Sequence, residues 1–155
     1  MRLDMKKILL LGVLTFLVSY SACAQDGLIN LESMYTVQET ADRFETAAKE
    51  NGLTIFVRIN HQNNAASVNM ELRPTEVIIF GNPKVGTPLM QCAQEVGIDL
   101  PQKVLIFEDE NEKVWLSYNN PDYLNKRHNI KGCDSVLSKI AGVLSKLSAA
   151  AVEAP

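Results

Sequence analysis

The stretch LRPTEVIIFGNPKVGTPLMQ, residues 72–91, gives the strongest indication of the fold. Glu76 to Phe80 is a short, mainly apolar run that Gly81 ends, which is typical of a strand inside a sheet. Pro88 fits the first position of a helix, where its missing amide costs nothing. We therefore expect a strand, a turn, and then a second helix from about Thr87 to Val96.

One helix and one strand are predicted upstream of this stretch. Residues 36–39, TVQE, form a capping box, and Asn51-Gly52 is a typical helix stop, so a first helix is expected between them. Residues 53–60 alternate in polarity, as expected of a strand with one wet face. Three apolar residues of this strand are expected to share one face: Ile55, Val57 and Ile59. The polar residues 61–69 predict a loop or a ragged helical turn.

Downstream, the pattern predicts a hairpin followed by helices. Residues 103–108 and 113–118 alternate on either side of an acidic turn, which indicates two paired strands. Asn120-Pro121 starts a short helical segment, and residues 134–148 carry an apolar stripe at helical spacing. The tail, 149–155, is expected to fray. This order predicts an α+β fold with a mostly antiparallel sheet and helices packed on one face.

The first 24 residues have the form of an export signal. A basic start precedes the apolar run from Ile8 to Val18, which is shorter than the roughly 20 residues that span a bilayer. Ala22 and Ala24 suit a general signal peptidase, so we expect cleavage after Ala24 and a periplasmic or secreted protein. The alternative is cleavage before Cys23 and a lipid anchor on that cysteine. Neither alternative includes a membrane span.

Cleavage after residue 24 of the 155 leaves 131 residues, the size of one domain. Residues 25–34 lack strong periodicity and are expected to be a linker, with a short strand near Met34 as an alternative, and residues 35–148 a single α+β domain. The mature chain would hold 12 basic and 17 acidic residues, a net charge of −5. This charge argues against nucleic acid or an anionic membrane surface as a partner.

Two cysteines, Cys92 and Cys133, would remain after cleavage. An exported protein can keep a disulfide, and pairing is therefore one alternative. The favoured interpretation is two unpaired thiols, because the apolar content supports a core without a cross-link and buried free cysteine is common. The sequence has no CxxC pair and no ligand set typical of structural zinc, so neither a metal nor a cofactor is expected.

Two segments resemble a bacterial family catalogued as domain of unknown function 302. They are residues 72–91 and IDLPQKVLIFEDENEKVWLSYNNPDYL, residues 98–124. His61 also stands where that family's pattern has a histidine. The resemblance covers roughly residues 34–130. The segment after His61 departs from it, since Gln62-Asn63-Asn64 stands where the family tends to have alanine and glycine.

This resemblance implies a fold but no reaction. It implies a β-α-β4-α order like half of the TATA-binding-protein saddle, often found as a dimer. The helix predicted at 87–96 would then be an insertion in that order. A homodimer is accordingly one possible partner arrangement.

The loop GNPKVGT, residues 81–87, is the main candidate for binding. It is not a phosphate-binding loop of nucleotide hydrolases, which needs a lysine directly after the second glycine, because Thr87 stands there. The amides of a helix N-terminus, the Thr87 hydroxyl and the Lys84 ammonium could together hold a small anion. Alternatively, Thr87 caps the helix and Lys84 is merely solvated. The predicted ligand-binding residues are His61, Asn82, Lys84, Gly86 and Thr87.

Three functions stay open at this point. The first is binding of a small anionic molecule at loop 81–87, and the second is a homodimerising or partner-docking module without a ligand. The third is an enzyme in which His61 acts as acid or base. No GxSxG or HExxH motif is present, so the enzyme is the weaker alternative and no catalytic residue is assigned. His128 is expected to be exposed.

Overall fold

The structure is a computed structural model that describes residues 27–154. Within this range the chain forms five strands, five α-helices and one 3₁₀ segment at Gln94–Ile98. In chain order the strands and α-helices are β1 (Leu28–Ser33), α1 (Val37–Glu50), β2 (Thr54–Asn60), α2 (His61–Ser67), β3 (Thr75–Gly81), α3 (Pro83–Cys92), β4 (Gln102–Glu108), β5 (Val114–Asn119), α4 (Pro121–His128) and α5 (Asp134–Val152).

The strands form one sheet in the order β1-β5-β4-β3-β2, and every neighbouring pair is antiparallel. The predicted α+β class is therefore confirmed. Without α2, α3 and α4, the chain order is the β-α-β4-α expected from the resemblance. The hairpin of β4 and β5 also forms as predicted.

The core lies between α1, α5 and one face of the sheet. Side chains of β3 and β4 that point to this inner face, such as Ile78, Phe80 and Ile106, are buried. Phe44 of α1 meets Phe80 edge-on, with ring centroids 5.0 Å apart. Leu144 of α5 is buried in the same cluster. We call the opposite side of the sheet its outer face.

The prediction that Ile55, Val57 and Ile59 share one face is wrong. Ile55 pairs with Phe80, which points inward, whereas Val57 pairs with Ile79, which points outward. A bulge between Ile55 and Val57 causes this change, because one extra residue in a strand reverses the alternation of its side chains. Phe56 is the inserted residue.

The second helix begins earlier than expected. Pro83, rather than Pro88, occupies the first turn, and Pro88 lies inside α3. The Asn82 side chain caps the helix by accepting a hydrogen bond from the Lys84 amide at 2.9 Å. Thr87 is consequently not a cap but the fifth residue of α3.

Both ends of the described chain are ordered elements. Residues 25–34 were expected to be a linker, yet Leu28–Ser33 form β1 and pair with β5 over six residues. The tail was expected to fray from residue 149, yet α5 continues to Val152. Arg43 explains this, because its guanidinium donates to the carbonyl oxygens of Ala150 (2.8 Å) and Ala151 (3.1 Å) at the helix end.

Cys92 and Cys133 form a disulfide, so the favoured interpretation of two free thiols is wrong. The bond joins the end of α3 to the residue before α5. Packing of these two helices brings the two Cα atoms to 6.3 Å, a separation that a disulfide spans.

α5 is the one helix in residues 27–154 that is long and apolar enough to cross a membrane by length and composition. Its apolar stripe, including Leu137, Ile140 and Leu147, is buried in the core. Residues 1–24 lie outside the described part of the chain. The predicted signal peptide and the alternative anchor at Cys23 therefore stay predictions.

Candidate ligand-binding pocket

A cavity of about 280 Å³ lies beside α3, and we call it the α3 pocket. Its walls come from three parts of the chain that are distant in sequence. They are Leu53 and Phe56 at the start of β2, the stretch that runs from the end of β3 through α3 to the start of β4, and the middle of α5. Apolar residues that line it include Phe80, Val85, Met90, Leu100, Ile140 and Leu144.

Two local features of the sequence leave this space open. Gly86 lines the pocket from α3, and a Cβ added there would meet its nearest neighbour, Leu100 Cδ1, only at 3.9 Å. The glycine therefore withholds a side chain where one would fit. On the opposite side, the bulge in β2 turns Phe56 toward the pocket, where its ring forms part of the rim and is 52% exposed.

Gln102 is the buried polar residue of the pocket. It is the first residue of β4 and pairs with Phe80, so its side chain points to the inner face with that ring. Only 9% of Gln102 is exposed, and its amide nitrogen Nε2 has no hydrogen-bond partner among residues 27–154. Such atoms are rare in folded proteins.

The other polar groups of the lining lie closer to solvent. Thr87 and Lys139 are exposed, and they line the pocket from α3 and α5 respectively. Asn82 is committed to structural hydrogen bonds, because its amide oxygen caps α3 and its amide nitrogen donates to the Gly52 carbonyl at 3.1 Å. The pocket thus has an apolar body, a polar mouth and one buried amide.

The structure brings together three of the five predicted site residues. Asn82, Gly86 and Thr87 line the α3 pocket, whereas Lys84 is exposed on the first turn of α3 and is not part of the lining. His61 does not join them.

His61 lies at the other end of β2. Thr54 at the start of β2 pairs with Gly81, and Asn60 at its end pairs with Glu76, so His61 follows the end that is far from loop 81–87. At about 3.3 Å per residue, β2 separates the two places by about 20 Å. His61 is half-buried as the first residue of α2, and it cannot share a cleft with Lys84.

The backbone donors expected to hold an anion are already used. The amide of Lys84 donates to the Asn82 side chain, and the amides of Val85 and Gly86 donate to the Asn82 carbonyl at 2.9 and 3.0 Å. Pro83 has no amide hydrogen. The start of α3 therefore offers no free donor from these residues, and an anion site at this turn loses its main support.

A charged cluster outside the pocket joins α1 to the sheet. Arg58 on β2 donates hydrogen bonds to Glu76 on β3 and to Asp42 on α1. Burial by itself lowers the pKa of Arg58, but these hydrogen bonds and charges outweigh it and hold that pKa above its ordinary value. Because every member is paired, the cluster explains the position of α1 rather than any chemistry.

A second polar pair supports the loop that closes the pocket. The His128 ring nitrogen Nε2 lies 2.6 Å from Asp99 Oδ2, and the His128 side chain is 6% exposed. The expectation that His128 is exposed is therefore wrong. The pair holds α4 against the residues that follow the 3₁₀ segment, next to Leu100 in the pocket wall. Nothing in the spacing of these residues along the sequence indicated their contact.

The described residues contain no group of three or more His, Cys, Asp or Glu side chains that could hold a metal. The pocket lining also has no acid–base pair, since its polar residues are two amides, a hydroxyl and a lysine.

The fold is similar to a solved structure described as the crystal structure of uncharacterized conserved protein DUF302 from Bacillus stearothermophilus. The TM-score is 0.73, the sequence identity is 16%, and the match covers 81% of this chain and 98% of that chain. At this identity the likeness shows the fold alone.

Three curated relatives are similar in sequence. The chain is 44% identical over 104 residues to a protein named fluoride-specific ion channel FluC 1 of Brucella suis biovar 1 (strain 1330), a match that covers 67% of this chain and 41% of the relative. FluC 1 of Brucella abortus biovar 1 (strain 9-941) and FluC 2 of Brucella melitensis biotype 1 (strain ATCC 23456 / CCUG 17765 / NCTC 10094 / 16M) match at the same identity, over 38% of their length. The chain thus spans about two fifths of the curated relatives it matches.

The two sequence segments, the β-α-β4-α order and the similar solved structure all agree with a match to one family model. That model, domain of unknown function DUF302, covers residues 29–147, and the chain belongs to this family.

Proposed function

We propose that the protein binds a small, mostly apolar molecule in the α3 pocket. The observation that carries the proposal is the cavity of about 280 Å³ with an almost wholly apolar wall. Ligand sites in proteins are typically concave, mainly apolar and supplied with a few polar groups, and this cavity is close to the lower end of their usual volumes. This proposal agrees with the expected binding role at the turn into α3, but it replaces the expected anionic ligand by an apolar one.

An apolar ligand fits the physical chemistry of the lining better than a small anion. The amides of α3 that would stabilise a negative charge are already bonded within the turn. Burial of apolar ligand surface, in contrast, gains roughly 25 cal/mol per Å² removed from water. A charged group, if the ligand has one, would lie at the mouth with Lys139, where water remains accessible.

The pocket walls are held in place without a ligand. The disulfide ties the end of α3 to the start of α5, and Asn82 fixes the start of α3 to the turn after α1. A site that needs little rearrangement loses less free energy on binding. This pre-organisation supports a binding role over a packing defect.

The test uses 2-isopropenylnaphthalene, an uncharged hydrocarbon, with titration calorimetry and amide chemical shifts as the measurements. We expect the wild type to bind it, with shifts concentrated on α3 and α5. Gly86→Leu should weaken binding at least tenfold, because the added side chain occupies the cavity.

Gly142→Leu is the matched control. Gly142 is also a helical glycine, it lies on the exposed side of α5, and no atom lies within 4 Å of an added Cβ. This variant should bind like the wild type. Absence of binding to the wild type, or unchanged binding to Gly86→Leu, would contradict the proposal.

We do not extend channel activity to this chain. The names of the Brucella proteins describe molecules of which it spans about two fifths. Export to the periplasm or beyond remains part of the proposal on the strength of the first 24 residues. The enzymatic alternative with His61 also stays a prediction, but that residue lies outside the α3 pocket.

Self-association is the second candidate function. On the outer face of the sheet, Val57 is 41% exposed and its cross-strand partner Ile79 is half-buried. Leu105 and Phe107 of β4 are half-buried farther along the same face. Exposed apolar surface of this kind marks many interfaces between protein molecules. Light scattering at tens of micromolar should then give the mass of a dimer, and Val57→Lys the mass of a monomer. A monomeric wild type would exclude this candidate at that concentration.

A further inference from the structure

We infer that the ligand carries an uncharged acceptor oxygen at its buried end, and that Gln102 selects it. This inference rests on the proposed binding in the α3 pocket and specifies the chemical class of the ligand. A ketone, ester or similar carbonyl compound with an apolar body belongs to this class.

Gln102 is a buried residue of the pocket wall. It lies in the wall of the pocket among buried apolar side chains, with Phe80 as its cross-strand neighbour and Leu144 of α5 in the same lining. Its amide nitrogen carries two N–H donors, and none finds an acceptor within residues 27–154.

A buried amide nitrogen without a hydrogen-bond partner is rare in proteins. More than nine in ten buried polar groups in proteins are hydrogen-bonded, because an unpaired one loses its water without replacement. One other buried side-chain atom in the described chain lacks a partner, the Ser148 hydroxyl, but Ser148 is not part of the pocket lining. Gln102 therefore combines an unpaired buried donor with a position in the wall of the pocket.

The surroundings of Gln102 favour an uncharged acceptor. Lys139, the cation of the pocket lining, lies at the exposed mouth, whereas Gln102 is buried. A carboxylate at the buried end would lose its hydration and gain a neutral amide, which is insufficient compensation. A neutral carbonyl oxygen is easier to desolvate and accepts the same hydrogen bond.

Discrimination follows from this geometry. A ligand with the acceptor forms the missing bond, whereas a hydrocarbon of the same shape leaves the amide buried and unpaired. Sites with buried polar groups reject analogues that lack the matching atom for this reason. Gln102 is accordingly a specificity-determining residue.

The experiment compares two ligands of nearly the same shape, 2-acetylnaphthalene and 2-isopropenylnaphthalene, which differ by a carbonyl oxygen in place of a methylene group. We expect the wild type to bind the ketone roughly five- to tenfold more tightly, as one neutral hydrogen bond allows. Gln102→Met keeps the length of the side chain and removes the donor, so the preference for the ketone should disappear while the hydrocarbon still binds. The side-chain N–H₂ signals of Gln102 should move with the ketone and not with the hydrocarbon.

Gln94→Met is the control, because Gln94 is exposed in the 3₁₀ segment and outside the lining, and its ratio of affinities should equal that of the wild type. The same ratio in the wild type and in Gln102→Met would overturn the inference while the proposed pocket stands. Tighter binding of 2-naphthoate than of the ketone would overturn the uncharged class. If neither naphthalene bound the wild type, the proposed function would fail, and this inference with it.

Discussion

At the scale of the residue, Gln102 is where stability and the proposed function oppose each other. An unpaired buried amide costs a folded protein about 1–3 kcal/mol, so its removal should help the empty protein. We expect Gln102→Met to raise the free energy of unfolding by about 1 kcal/mol, measured by urea denaturation. Natural sites commonly retain such a cost because the site needs the group.

The control for this prediction is again Gln94→Met, which should change the free energy of unfolding by less than about 0.5 kcal/mol. A destabilised Gln102→Met would show that the amide has a structural partner in solution, and that it is not held for a ligand.

Asp109 supplies a prediction about pH. The Trp115 indole donates to its carboxylate at 2.8 Å, and the amides of Asn111 and Lys113 donate at 2.8 and 3.0 Å. The indole hydrogen bond is the largest cause that lowers the pKa of Asp109, and it outweighs partial desolvation. Because the folded pKa is depressed, the stabilisation is complete above the unfolded pKa of about 3.9 and is lost as pH falls through the lower folded value.

Trp115 is the one tryptophan of the chain, so its indole N–H signal reports on this contact directly. We expect that signal to stay constant down to about pH 4 and to change in more acidic solution. In Asp109→Asn the signal should not titrate. A change centred well above pH 4 in the wild type would contradict the depressed pKa.

At the scale of the element, local signals predicted the helices and strands that local contacts stabilise. The capping box of Thr36 and Glu39 forms as expected, and so does the start of α4 after Asn120. The start of α3 depended on competition between two equivalent signals. Pro83 and Pro88 both suit the first turn of a helix, and the Asn82 side chain decides for Pro83 by capping there.

That one difference removed the free amides that were expected to hold an anion. With α3 starting at Pro83, Thr87 lies one turn inside the helix, and the early amides bond to Asn82. The bulge at Phe56 could not be predicted from the sequence either, because the side chains of an alternating sequence can point to either face until the partner strand fixes the register. Sequence patterns indicated the turn into α3, which lies in the wall of the proposed pocket, but not the apolar character of that wall.

Asn82 provides the prediction at this scale. Asn82→Ala removes the cap of α3 and the hydrogen bond to Gly52, and should lower the free energy of unfolding by about 1–2 kcal/mol. Because the first turn of α3 forms part of the pocket wall, affinity for 2-isopropenylnaphthalene should fall as well. Urea denaturation and titration calorimetry measure the two effects.

Asn120→Ala is the comparison that separates them. Asn120 caps α4 through the Asp122 amide at 2.9 Å and does not line the pocket, so its loss should reduce stability without changing affinity. Equal affinities in the Asn82 and Asn120 variants would show that the start of α3 does not shape the site.

At the scale of the whole molecule, the sequence predicted the class of fold but not the contacts between elements that are distant along the chain. The order of elements was enough for an antiparallel α+β sheet. The α3 pocket, in contrast, forms where α3, α5 and the loop before β4 contact one another. No local sequence pattern predicted these contacts. The same holds for Arg43 at the end of α5 and for β1, whose short mixed sequence forms a strand because β5 lies beside it.

The disulfide is the contact between distant parts of the chain with the largest expected effect. Cys92 and Cys133 are 41 residues apart, and closing a loop of that length in the unfolded chain corresponds to about 4 kcal/mol of stabilisation. We expect the double variant Cys92→Ser with Cys133→Ser to lose about that much in urea denaturation. Wild type treated with a thiol reductant should lose a similar amount.

The same change should reach the pocket, because the disulfide holds α3 on α5 and both helices form its walls. At a temperature where the double variant remains folded, it should bind 2-isopropenylnaphthalene more weakly than the wild type, and reductant should have no further effect on it. Full affinity in the folded double variant would mean that the core residues of α3, led by the buried Leu89, position the wall by themselves. The cross-link would then contribute stability alone, and the pre-organisation argued for the site would rest on Asn82.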